Sequence, residues 1–191
     1  LDQTRRRHDL VKRLGGPRVM ASLNGVGMSG MLALRRHAAL PIHAHRNGWG
    51  VFDRSPALGW SYVAWQKLWR LAGADHMHVN GLDNKFCESN ESVVASARTC
   101  LTPLWPDNPC LAMPVFSSAQ SAVTAEATYR AAGTADLLFC AGGGVTAHPD
   151  GPGAGVRSLR EAWEAAMACV PAADYAKDRP ALARALEFYA K

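Results

Sequence analysis

The sequence predicts an α/β fold of about five βα units with parallel strands. Short apolar runs alternate five times with segments of helical period. The runs start roughly 20 to 40 residues apart, the length a right-handed crossover between parallel strands requires. The polar residues gather at one place in each unit, the C-terminal end of the apolar run. In α/β sheets and barrels that end carries the chemistry, because the βα loops converge there.

The elements follow in order. QTRRRHDLVKRLGG has helical periodicity and ends on a Gly pair. PRVMASLNGVG reads as a short strand with a glycine-rich exit, and SGMLALRRHAAL as the helix after it. ALPIHAHRN is the second strand, followed by the helix GWSYVAWQKLWRLAG, in which Trp60, Val63, Leu68 and Leu71 form the expected buried stripe. DHMHVN is the third strand, and ESVVASARTCLTPLW is a helix reached through a long polar loop. CLAMPVFSS with SAVTAEATYRAAG makes the fourth unit, and DLLFCAGGG with SLREAWEAAMACV the fifth. RPALARALEFYAK is a final amphipathic helix, so helices are expected from about 158 to 191.

With 191 residues the chain is long enough for one core but short of the ~250 of a closed (β/α)8 barrel. Its formal charge of +5 comes without the aromatic-basic array that single-stranded nucleic acid needs, so a small anion is the expected partner rather than nucleic acid. No apolar run has the length of a membrane span, which predicts a soluble chain with no membrane partner, and the cysteine pattern fits the reduced cytoplasm. The five cysteines are scattered with no C-x-x-C pair and read as small buried hydrophobes or spectators.

In HAH and HMH the histidines are two apart, so both members of a pair face the same side of a strand. His43 and His76 are the deeper members, of which His43 reads as interior packing, while His45 and His78 reach the mouth. Four clustered imidazoles also fit a zinc hydrolase, although no acidic ligand stands at a strand end to join them. AGGGVTAHPDGPGAG follows the last strand, where glycines let backbone N–H groups approach an anion, and Ser117 and Ser118 end the strand before it. Arg46 offers a second anion contact through its planar fork. Lys85, on the loop HVNGLDNKFCESNES, fits a lid that brings positive charge over a bound substrate. Trp49 reads as a pocket wall, with Gly48 and Gly50 permitting the turn.

Taken in this order, HAHR, DHMH, a lysine seven residues after His78, Ser117 at the next strand end, and AGGG with HP after the last strand resemble the C-terminal barrel of the RuBisCO large subunit. The resemblance is stronger to the RuBisCO-like (form IV) proteins, which share the barrel without fixing carbon dioxide, and it covers nearly the whole chain. It implies a partial RuBisCO-type TIM-barrel domain over 1–191, with the N-terminal domain and first barrel strands absent. It also implies proton transfer at the sugar carbons by His45 and stabilisation of developing negative charge by Lys85. Arg46 and His78 would hold one phosphate, Ser117 would contact a substrate hydroxyl, and Ala119, Gly142 and Gly143 would offer amides to the other phosphate position. The cofactor it implies is Mg2+, held by a lysine, an aspartate and a glutamate upstream of these residues, so the chain alone is expected to be inactive. The expected assembly of the intact protein is a homodimer or larger.

Carboxylases of the family have two glycines where this chain reads Ser118 and Ala119, a further histidine where it reads Trp49, and a Gly-Lys-Leu-Glu lid where it reads NKFC. These differences point away from carboxylation. HRNGWG and HVNGLDNKF resemble the branch acting on a 3-oxo-isoapionate 4-phosphate type of substrate by decarboxylation or transcarboxylation through an enediolate. The alternatives are a 2,3-diketo-5-methylthiopentyl-1-phosphate enolase, a true ribulose-bisphosphate carboxylase, the zinc hydrolase, and a non-catalytic sugar-phosphate-binding remnant.

Overall fold

The computed structural model of the chain describes residues 2–55, 57–85 and 88–190. The element order is α1 (Asp2–Arg13), β1 (Val19–Ser22), α2 (Leu23–His37), β2 (Ile42–His45), α3 (Gly50–Asp53), α4 (Tyr62–Leu71), β3 (His76–His78), α5 (Asn90–Cys100), β4 (Met113–Phe116), α6 (Ala122–Ala132), β5 (Leu138–Phe139), α7 (Gly142–Thr146), α8 (Pro152–Met167), α9 (Ala172–Tyr175), a 3-10 turn (Ala176–Asp178) and α10 (Pro180–Tyr189). The strands form one five-stranded sheet in the order β1-β2-β3-β4-β5. β1 with β2, β2 with β3, and β4 with β5 pair in parallel, as the βα repeat requires. No helix among the described residues is long and apolar enough to cross a membrane.

The first of two compact units runs up to Val79 and includes Ala95–Pro114. Its register sets Met20 opposite His43 and Ser22 opposite His45, and next His43 opposite His76. β1 is shorter than the sequence implies. Leu23 to Val26 already turn as helix, and Gly27 (φ 68°, ψ 169°) kinks it before it continues to His37. α4 starts on Ser61, whose hydroxyl accepts the Ala64 N–H at 3.2 Å.

The expected stripe of α4 is rotated. Trp60, Leu68 and Leu71 are exposed, whereas Tyr62, Trp65, Gln66, Trp69 and Arg70 are buried. Of the two polar residues on that face Arg70 is satisfied and Gln66 only in part, its Nε2 having no partner among the described residues. Cys100 Sγ donates to Gln66 Oε1 at 3.3 Å, and the Arg70 guanidinium donates to the carbonyls of Thr99, Thr102, Pro109 and Cys110. Trp49 packs against Phe52, Tyr62 and Trp65 at centroid distances of 5.0 to 5.5 Å, which makes it core rather than pocket wall.

The second unit comprises Asn80–Val94 and the chain from Val115 onward. α6 begins at Ser121, whose N–H donates to Thr124 Oγ1 at 3.2 Å, and ends on the left-handed Gly133. Its core is a small-residue cluster of Ala122, Ala125, Ala162, Ala176, Leu182 and Ala185, closed by Trp163, Tyr175, Leu186 and Tyr189. α8 starts at Pro152, six residues before the helical stretch read from the sequence, since Gly151 (φ 83°) turns the chain and proline suits the first helical position. A Cβ on Gly155 would lie 2.3 Å from Val145 O, so only glycine lets α7 and α8 meet there. Of the cysteines, Cys100 is buried, Cys110 and Cys140 are partly buried, and Cys169 is exposed. Cys87 lies outside the described residues.

Candidate functional site

In the first unit the strand ends assemble an imidazole group. The His43 and His78 Nε2 atoms are 2.7 Å apart, a hydrogen bond in which one ring carries the proton and the other accepts it. His43 Nδ1 lies 3.4 Å from His76 Nδ1, and the His45 ring is 4.4 Å from that of His78. His43 is buried as expected, but on β3 the order of depth is reversed: His78 is buried and His76 only partly so. Tyr62 explains the reversal, because its hydroxyl donates to the His78 carbonyl and its ring lies under the Arg46 guanidinium, 4.5 Å from centroid to Cζ.

His45 Nδ1 is buried and has no hydrogen-bond partner among the described residues. Burial, and secondarily the Arg46 charge, hold this imidazole below its usual pKa. Burial also pulls His43 down to about 4, helped by His76, and His78 down to about 3, helped by His45 and His43. At neutral pH the resting group is therefore uncharged, with a guanidinium beside it, so that the fixed positive charge lies on Arg46 while an imidazole remains free to accept a proton.

Acid stability should register this. Below about pH 6.5 the unfolded chain protonates His43 and His78 while the fold keeps them neutral, so stability falls as pH drops, down to their native pKa values. At pH 5 the loss is about 2 kcal/mol for each ring that stays neutral. Urea titrations of the native protein and of His43→Asn between pH 7 and 5 should show the native protein losing more. Equal slopes would contradict the burial of neutral rings.

The other predicted residues lie in the second unit. Ser117 follows β4, and Ser118 (φ 72°) and Ala119 (φ 58°) make a left-handed turn after it. Lys85 is exposed, and its N–H donates to Ser118 Oγ at 3.4 Å, so the loop that carries it meets the serine turn. Asn80 (φ 66°), at the root of that loop, donates to Glu88 Oε2 at 2.6 Å. Gly142 and Gly143 open α7, and a Cβ at either would meet nothing within 4 Å, which leaves their backbone open to approach. His148 of the HP pair is a brace instead of a ligand: Nε2 donates to Ala181 O at 3.0 Å and Nδ1 accepts the Asp150 N–H. A shallow cavity of about 190 Å³ lined by Glu126, Tyr129, Arg130 and Cys169 contains none of the predicted residues.

The structure does not favour the zinc reading. Among the described residues the group whose ligand atoms all lie within 4.8 Å of one another is His8, Asp9 and His37, not the strand histidines. There Asp9 Oδ1 accepts from His8 Nδ1 (2.9 Å) and from His37 Nε2 (2.7 Å), while His8 Nε2 accepts the Ala39 N–H. A metal on His8 Nδ1 would put a proton on Nε2, facing that N–H, so the group is a clasp between α1 and α2. Nor do the strand-end residues of this unit suit magnesium, which takes hard oxygen ligands whereas these donors are imidazole and guanidinium nitrogens.

A family model described as the ribulose bisphosphate carboxylase large chain, catalytic domain, matches residues 1–189. The chain belongs to that family. Within it, this RuBisCO-type chain is 57% identical to a 3-oxo-isoapionate-4-phosphate transcarboxylase/hydrolase of Xanthobacter autotrophicus over 189 residues, covering 99% of this chain and 46% of the relative. It is 44% identical to a 3-oxo-isoapionate-4-phosphate decarboxylase of Rhizobium rhizogenes, covering 97% and 44%. The crystal structure of a rubisco-like protein from Burkholderia fungorum matches with a TM-score of 0.93 at 52% identity, covering 97% and 46%. The RuBisCO-type chain thus spans about half the length of these relatives.

The sequence reading missed Tyr62, Glu88 as the partner of Asn80, and Gln120. Tyr62 carried a usable signal, an aromatic one helix after HAHR, and Gln120 another, a lone amide directly behind the serine turn.

Proposed function

We propose that the full protein carrying this chain acts on a phosphorylated keto sugar acid of the 3-oxo-isoapionate 4-phosphate type, by decarboxylation or transcarboxylation through an enediolate. The observation that carries this reading is the neutral His45 with its unpartnered Nδ1, 4.4 Å from the His78 ring and followed in the chain by Arg46. The names of the relatives at 57% and 44% identity support the substrate class.

In a 3-oxo acid the ketone sits two carbons from the carboxyl carbon. The C1–C2 bond breaks, its electron pair forms C2=C3, and the C3 oxygen becomes anionic. In decarboxylation C2 then takes a proton, C3 returns to a ketone, and carbon dioxide leaves. His45 accepts a proton from a substrate hydroxyl or water, and the imidazolium so formed, disfavoured by burial and by Arg46, passes it readily to carbon. Arg46 and His78 hold one anionic group, Lys85 offsets charge on the oxygen, Ser117 meets a hydroxyl, and the amides of Ala119, Gly142 and Gly143 serve the phosphate. Magnesium is proposed as a cofactor of the full protein, with ligands other than the residues described here, and no step above runs through it. The proposed assembly is a homodimer or larger.

Incubation of the full protein with 3-oxo-isoapionate 4-phosphate, followed by 31P NMR and carbon dioxide capture, tests the reading. Consumption of the acid with a new phosphorylated product supports it. An untouched acid alongside enolisation of 2,3-diketo-5-methylthiopentyl 1-phosphate would replace it with the enolase reading.

A further inference from the structure

Gln120 follows the Ser117–Ala119 turn directly and is only 2% exposed. Its Nε2 donates to Ser118 O at 2.7 Å and to Leu82 O at 2.9 Å, which uses both amide hydrogens. One acceptor belongs to the serine turn, the other to the loop carrying Lys85. The loop is pressed onto this amide, since a Cβ on Gly81 would lie 2.0 Å from Gln120 Nε2 and 2.6 Å from Ser117 O. Four non-glycine residues on the two sides hold left-handed backbone: Asn80 and Asp83 in the loop, Ser118 and Ala119 in the turn. Such conformations persist where the surroundings over-determine them. On its backbone side, Gln120 O lies 2.4 Å from the place a Cβ on Gly144 would occupy, so the same residue also abuts the glycine turn.

Gln120 Oε1 is buried without a partner among the described residues. An orphaned buried acceptor is costly, and an apolar side chain of this size would avoid the cost. What glutamine offers instead is the pair of donors.

We infer that Gln120 is a positioning residue, its carboxamide fastening the Lys85 loop to the Ser117–Ala119 turn so that Lys85 is set against the phosphate-holding backbone. The role assigned to Lys85 rests on the proposed function; the tether itself does not.

Gln120→Glu is nearly isosteric, yet its carboxylate has no hydrogen to give and would face two carbonyls, while its protonated form regains one donor. Hydrogen exchange of the full protein, corrected for intrinsic rates, should show residues 80–85 exchanging at least about tenfold faster in Gln120→Glu at neutral pH, with α8 unchanged. Protection of 80–85 relative to the native protein at the same pH should be regained in part as pH is lowered, the native reading carrying the contribution of Asp83, Glu88 and the strand histidines. Gly81→Ala should open the same loop by driving a methyl group against the Gln120 amide, with residue 120 still a glutamine. Unchanged protection of 80–85 in both variants, or equal loosening of the loop and α8, would overturn the tether. A loop that opens while kcat and KM for the phosphorylated acid stay at native values would uphold the tether and remove Lys85 from the proposed function.

Discussion

Replacing His45 with asparagine should lower kcat on the phosphorylated 3-oxo acid by about 10²- to 10⁴-fold, the usual contribution of a positioned proton-transfer group, with little change in KM. Asparagine keeps the size and the polarity of the side chain but cannot cycle a proton. The reason to single out His45 among the four strand histidines is its bonding. His43 and His78 satisfy each other and His43 also reaches His76, whereas His45 Nδ1 is buried with no partner among the described residues. Steady-state kinetics, with a melting curve to show that the variant is folded, decides the matter. A variant within threefold of the native kcat would remove His45 from the chemistry.

The second large effect concerns stability. Arg70→Met should cost about 3 to 5 kcal/mol, measured by chemical denaturation, because the guanidinium is 2% exposed and donates to four carbonyls at 2.6 to 3.3 Å. Thr99 O lies in the last turn of α5 and Thr102 O just beyond it, where helical carbonyls lack intrahelical partners and the helix dipole favours a cation. Methionine fills similar space and leaves those carbonyls unsatisfied. Arg70→Lys retains the charge without the fork and should recover only part of the loss. A loss below about 1 kcal/mol for Arg70→Met would show that the carbonyls find other donors.

These two residues also mark how far the sequence could be read. The βα repeat and the histidine pairs were legible because both rest on period, and period survives folding: apolar runs became β1 to β5, and two-residue spacing set His43 and His45 on one face. Arg70 was not legible. In a helix a polar residue reads as solvent-facing, so the apolar pattern of α4 placed the stripe on Trp60, Leu68 and Leu71. The real face includes Gln66 and Arg70, whose partners lie more than 25 residues away in sequence. The reversal of depth on β3 has the same origin, since Tyr62 reaches the His78 carbonyl from 16 residues upstream. The resemblance supplied what period could not, the roles proposed for Lys85, Ser117 and the glycines, whereas Gln120 offered only its place directly behind the serine turn, from which its bond to Leu82 O, 38 residues away, could not be read.

The proposed chemistry is an enediolate generated on a phosphorylated 3-oxo acid. The most direct test runs the reaction of the full protein in D2O and reads the product at an early time by mass and 1H NMR. For decarboxylation the account requires one deuterium at the carbon that lost the carboxyl group, incorporated at the enzymatic rate in the native protein and slowed in parallel with turnover in His45→Asn. Product formed at the native rate with hydrogen retained at that carbon would contradict it.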